Sequence, residues 1–107
     1  MHNDISALVV EYFPISDDEL KTLCRKYQIR KLALFGSVLR EDFDADSDVE
    51  VLVEFEPEAK IGFFELIDLE MELSNRIGRK VDLNTYGFLS PYIQLRVREQ
   101  ERVLYES

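Results

Sequence analysis

Only one cysteine and one histidine occur in this 107-residue chain, and each scarcity removes a class of chemistry. A lone thiol, Cys24, excludes an internal disulfide framework and a multi-cysteine zinc site. The single histidine, His2, lies at the extreme N-terminus, which argues against Ser-His-Asp, Cys-His and multi-histidine metal chemistry. No apolar run approaches the roughly 20 residues of a membrane span, and no basic stretch precedes an apolar one near residue 1, so a soluble cytoplasmic protein is expected. Bases are also short, with 13 against 22 acids and a formal charge of −9. That balance argues against autonomous nucleic-acid binding, which needs a cationic face to displace counterions from phosphates.

Acid is what the chain has in excess, and it is concentrated. Glu41 to Glu72 holds thirteen carboxylates against Lys60 alone, while the remainder of the chain carries a small positive balance. Most of these groups are expected to form a solvated face. Hard oxygen donors also suit magnesium, so the positions of individual carboxylates along the predicted elements decide between the two readings.

No repeat, low-complexity tract or linker interrupts residues 1–107, and one domain is expected. The apolar run Ile5–Val10 suits a short helix or a strand. Ser16-Asp17-Asp18-Glu19 is a capping box, with Ile15 and Leu20 placed for a hydrophobic staple. The helix it opens shows Leu20, Leu23, Cys24 and Tyr27 on one face and should end near Gln28. Lys31–Phe35 reads as a short strand stopping at Gly36-Ser37, followed by a short helix over 37–41. Asp48–Phe55 reads as a second strand from the period-two recurrence of Val49, Val51, Val53 and Phe55, with Leu52 on the face shared by Asp48 and Glu50. Residues 62–77 carry the strongest helical pattern, with Phe63, Leu66, Ile67, Leu69, Leu73 and Ile77 forming an apolar stripe that Gly78 ends. Phe63, Phe64 and Tyr92 are most simply core residues. Lys80–Thr85 is a third strand, Ser90-Pro91 opens a helix running to about Val97, and Arg102–Tyr105 is a small terminal strand. The order predicts an α/β (α+β) domain, with a small mixed sheet of three to four strands flanked by helices.

Three features fall at the ends of these elements. Gly36-Ser37, at a strand-to-helix turn, can present backbone N–H groups and a hydroxyl to phosphate oxygens. Asp48 and Glu50, two apart on one strand, leave the same face. Asp82 reaches the same place if its strand is the neighbour in the sheet. Three carboxylates around one cleft can hold two Mg²⁺ ions that bridge a nucleotide's phosphates. Each feature alone also has a plain reading: a turn, a solvated strand face, and an exposed residue on an edge strand. Their conjunction is what carries weight.

Gly36-Ser37-Val38-Leu39-Arg40 followed by Ser47-Asp48-Val49-Glu50-Val51-Leu52-Val53 resembles the signature of the minimal nucleotidyltransferase (MNT) domains of the DNA polymerase beta superfamily. Val81-Asp82-Leu83 matches the third carboxylate, and the resemblance spans residues 18–105. It implies the nucleotidyltransferase fold, with Gly36 and Ser37 holding the triphosphate of ATP and Arg40 near phosphates or the acidic loop. Asp48, Glu50 and Asp82 would ligate Mg²⁺. Leu39, Glu41 and Glu50 depart from the usual Ala, Gly and Asp, which alters packing and charge beside the phosphate loop and lengthens one metal-ligand arm. The resemblance further implies an antitoxin that moves AMP from ATP to a tyrosine of a HEPN-domain RNase toxin. The alternative is an MNT-fold antitoxin that neutralises this partner by binding alone. At 107 residues no extra substrate-binding domain of the kind carried by relatives that act on antibiotics or nucleic acids is expected.

Overall fold

The computed structural model describes residues 13–36 and 48–107, and of Phe88 only the backbone. The Ile5–Val10 run and the short helix expected over 37–41 lie outside the described residues. Within them the chain forms helix α1 (Asp17–Lys26), strands β1 (Ile29–Phe35) and β2 (Val49–Phe55), helix α2 (Phe63–Ile77), strand β3 (Val81–Thr85), a 3-10 turn (Tyr86–Phe88), helix α3 (Pro91–Gln100) and strand β4 (Arg102–Glu106).

Local chemistry sets the helix ends. Glu19 N–H donates to Ser16 Oγ at 3.2 Å and Ser16 N–H to Glu19 Oε1 at 3.4 Å, completing the expected capping box. Ile15 packs against the core, as the staple requires. Gly78, at φ +72°, closes α2 in the left-handed conformation that a glycine adopts without penalty. Ser90 Oγ accepts from Ile93 N–H at 3.2 Å, and Pro91 occupies the first turn of α3, where no backbone donor is needed.

The four strands form one sheet in the order β3-β2-β1-β4. β1 pairs antiparallel with both β2 and β4, whereas β2 and β3 run parallel and are joined through α2. One sheet face carries Leu32, Leu34, Val49, Val51, Val53 and Val81, all buried against Leu20, Leu23 and Cys24 of α1 and Leu69, Leu73 and Ile77 of α2. Truncating a fully buried leucine here, such as Leu73, is expected to cost about 2–5 kcal/mol. On the opposite face Ala33 and Leu52 lie under Tyr86 and Val97. The expected burial of both faces around Leu52 is therefore met, because α3 folds back over the second face.

The sequence reading fails for part of α2. Phe63 and Ile67 of the predicted core stripe are exposed, as are Phe64 and Tyr92. The helix is covered along Leu69, Leu73 and Ile77, with Leu66 half-buried on the same face, whereas Phe63, Phe64 and Ile67 turn off that face into solvent.

Charge is ordered at two places. Glu72 accepts from Tyr27 Oη at 2.9 Å, Lys26 Nζ at 3.2 Å and Arg76 at 3.2 Å, tying α2 to α1. Partial burial opposes the Glu72 charge, but these three donors outweigh it and hold the carboxyl below its ordinary value. Under α3, Lys31 Nζ lies 2.5 Å from Glu101 Oε2, and Tyr86 donates its phenolic hydrogen bond to Glu101 Oε1. All three residues are almost wholly buried at these side chains. Burial disfavours the Lys31 charge, yet the contacts with Glu101 and Tyr86 raise its pKa overall.

Candidate active site

The phosphate-loop candidate begins where β1 ends. Gly36 has φ +79°, a left-handed conformation in which a side chain is strained. It also faces a close neighbour, since a Cβ at this position would lie 2.7 Å from Glu50 Cδ. Glu50 reaches Gly36 because antiparallel pairing sets it opposite Phe35, the preceding residue. A glycine is thus required twice, by the backbone and by the carboxylate packed over it.

The sheet then decides what stands beside Glu50. In the parallel pair, Glu50 is in register with Asp82, and Val49 N–H donates to the Lys80 carbonyl at 2.9 Å. Asp48 precedes Glu50 by two residues and shares its face. Strand spacing and rise put the Cα atoms of Asp48 and Asp82 about 8 Å apart. Asp82 is exposed on β3, an edge strand, while Asp48 and Glu50 are intermediate. Lys80 Nζ lies 3.9 Å from Asp48 Oδ2 in open solvent, a contact of little energetic weight.

These three positions therefore meet at one end of one sheet face. Their side chains are not drawn together: among the described residues no three carboxylate, histidine or cysteine side chains form a group that could already hold a metal ion. Chemically the donor set fits a hard divalent cation, being all carboxylate oxygen, and Gly36 leaves room for the longer arm of Glu50. Ser37 and Arg40 lie outside the described residues.

Two residues that the sequence reading passed over support this site. β3 turns the N–H groups of Val81 and Leu83 away from β2. Val81 N–H donates to Ser74 Oγ and Leu83 N–H to a Glu70 carboxylate oxygen, each at 3.0 Å. Asp82 sits between the two clipped amides. The available signal was a serine and a glutamate one turn apart beside the apolar stripe of α2, where solvent-seeking groups need a reason to be.

The polymerase beta nucleotidyltransferase family matches residues 18–107. The chain belongs to that family. A Methanocaldococcus jannaschii protein, provisionally named a protein adenylyltransferase, is 38% identical over 81 residues, spanning 74% of this chain and 80% of the relative. A crystal structure of a toxin-antitoxin with AMP-PNP superposes with a TM-score of 0.68 at 19% identity, over 87% of this chain and 75% of that one. A Shewanella oneidensis complex of a tri-AMPylated HEPN toxin with its MNT antitoxin gives a TM-score of 0.60 at 18% identity, over 84% of this chain and 69% of that one. At these identities the two structures establish the fold, and the expected nucleotidyltransferase architecture is observed. Among the described residues no helix is long and apolar enough to cross a membrane.

Proposed function

We propose that this nucleotidyltransferase moves AMP from ATP to a tyrosine of a HEPN-family toxin, with Mg²⁺, and acts as that toxin's antitoxin. The observation that carries the reading is the register of Glu50 with Asp82 beside Gly36, with Asp48 two residues earlier on the same face. The naming of the archaeal relative as a protein adenylyltransferase, and the AMPylated toxin in the Shewanella complex, support the choice of AMP and of a protein acceptor.

In this reading Asp48, Glu50 and Asp82 hold the cations, two in number, and the Gly36 turn with Ser37 and Arg40 receives the triphosphate. Bound Mg²⁺ would neutralise phosphate charge and steady an in-line displacement. Gly36 makes room for the Glu50 carboxylate, which any Cβ there would displace. Asp82, the most exposed of the three, would be the carboxylate free to accept the proton of an incoming phenol. A phenol of pKa about 10 is nearly all protonated at neutral pH, so such an acceptor matters.

The test is intact-mass analysis of the toxin after incubation with the chain, ATP and Mg²⁺. Added AMP is expected on the toxin. Glu50→Gln keeps size and removes charge, and should lower transfer at least ~100-fold while toxin binding persists. Full neutralisation by Glu50→Gln and Asp48→Asn proteins, with no AMP on the toxin, would replace transfer with neutralisation by binding alone.

A further inference from the structure

Helix α2 leaves a run of large apolar side chains uncovered, the kind of surface that marks an interaction site. Phe63 is 73% exposed, Phe64 78%, Met71 59% and Ile67 37%. At 100° per residue these four side chains fall within about 100° of arc and make one stripe along the helix. The Phe63 and Phe64 rings meet edge to face with centroids 6.3 Å apart. Beside the stripe a hollow of about 470 Å³ opens between α2 and β3, lined by Ile61, Phe63, Leu66, Ile67, Leu83 and Thr85.

Three observations narrow what can cover it. Strand addition at β3 is closed at the amides of Val81 and Leu83, which Ser74 and Glu70 already satisfy, so a helix in the groove is the remaining mode. Acids flank the stripe: Glu65, Asp68 and Glu70 make no ion pair among the described residues, while Glu72 is already engaged by Lys26 and Arg76. A second copy laid face to face would oppose carboxylate to carboxylate, whereas a cationic partner gains from the same charges. The stripe also lies toward the Phe63 end of a helix about 22 Å long, whose other end adjoins the strand starts that carry Asp48, Glu50 and Asp82.

We propose that this stripe and hollow seat a cationic amphipathic helix of the partner protein, apart from the place where the acceptor enters the active site. This rests on the partner assigned above and adds where that partner is gripped. Apolar anchors such as Phe64 and Met71 supply the affinity. The carboxylates of Glu65, Asp68 and Glu70, unpaired with any cation among the described residues, select a partner helix edged with lysine and arginine.

Isothermal titration with a purified HEPN-family toxin that the wild-type chain neutralises tests it, using wild type, Phe64→Glu/Met71→Glu and the α3 control Tyr92→Glu/Leu95→Glu. All four side chains are exposed, so both double variants should melt like wild type. The α2 variant is expected to bind at least ~100-fold more weakly while the control binds normally. Wild-type binding should also weaken about tenfold or more between low and high salt. An α2 variant that binds as tightly as wild type overturns the seat and leaves the partner assignment standing. A wild-type chain that neither neutralises nor binds any HEPN-family toxin overturns both. A dimer by light scattering that the α2 variant dissolves would identify a second copy as the occupant and overturn the cationic helix.

Discussion

The carboxylate of Glu70 accepts the N–H of Leu83 at 3.0 Å across the open side of the edge strand. One turn later Ser74 accepts from Val81, and the match is metrical: four helical residues advance about 6.0 Å and two strand residues about 6.6 Å. Glu70→Leu should therefore free the Leu83 amide, speed its hydrogen exchange and destabilise the fold by about 1 kcal/mol. Glu70→Gln retains an acceptor oxygen and should protect that amide nearly as well as wild type. Equal exchange at Leu83 in all three proteins would show that the clip restrains nothing.

Gly36→Ala is expected to be costly out of proportion to one methyl group. The left-handed φ of +79° costs an alanine about 1–2 kcal/mol, and the new Cβ must push the Glu50 carboxylate aside. Thermal melts should show lower stability. They should also show a smaller rise with ATP and Mg²⁺ than wild type displays, since ligand-induced stabilisation follows affinity for the native state.

Alkaline solution should weaken the fold through groups that burial keeps protonated. Burial pushes the Cys24 thiol from 9.0 to about 12. Burial, then the Glu72 carboxylate, pushes Tyr27 from 10.0 to about 12, and burial with Glu101 does the same to Tyr86. Each group keeps its proton in the folded chain at a pH where the unfolded chain releases it, so stability falls as pH rises from about 9 to about 12. Urea midpoints at pH 8, 10 and 11 should decline in that order. Tyr27→Phe, which has no phenolic proton to lose, should flatten the decline between pH 10 and 11.

What could be read in advance was local. The capping box at Ser16 and the stop at Gly78 are decided within four residues, and the alternation of Val49, Val51 and Val53 reports one strand face directly. The site was legible as a list, because Asp48 and Glu50 share a face by spacing alone. Its assembly was not legible: the register of Glu50 with Asp82 is set by how α2 returns the chain to the sheet. The misplacement of Phe63 and Phe64 in the core has a related origin. The apolar stripe is wider than the face the sheet covers: Leu66, Leu69, Leu73 and Ile77 turn toward it, whereas Phe63, Phe64 and Ile67 lie on the flank. Tyr86 and Glu101 escaped notice because each is an ordinary residue until α3 brings them together.

The buried pair of Lys31 and Glu101 bears on how such a chain can change over generations. The two residues stand 70 positions apart in sequence and share one interior contact. Losing either alone leaves a buried charge without its partner, a penalty of about 3–5 kcal/mol that a marginally stable domain can scarcely survive. Replacing both with apolar side chains of similar bulk is about neutral or even stabilising. Lys31→Met and Glu101→Leu should therefore each be poorly folded and their double variant well folded. Descendants of this sequence can then leave the ionic arrangement only by a paired step, and the two positions should be inherited as a unit although neither touches the Asp48, Glu50 and Asp82 constellation.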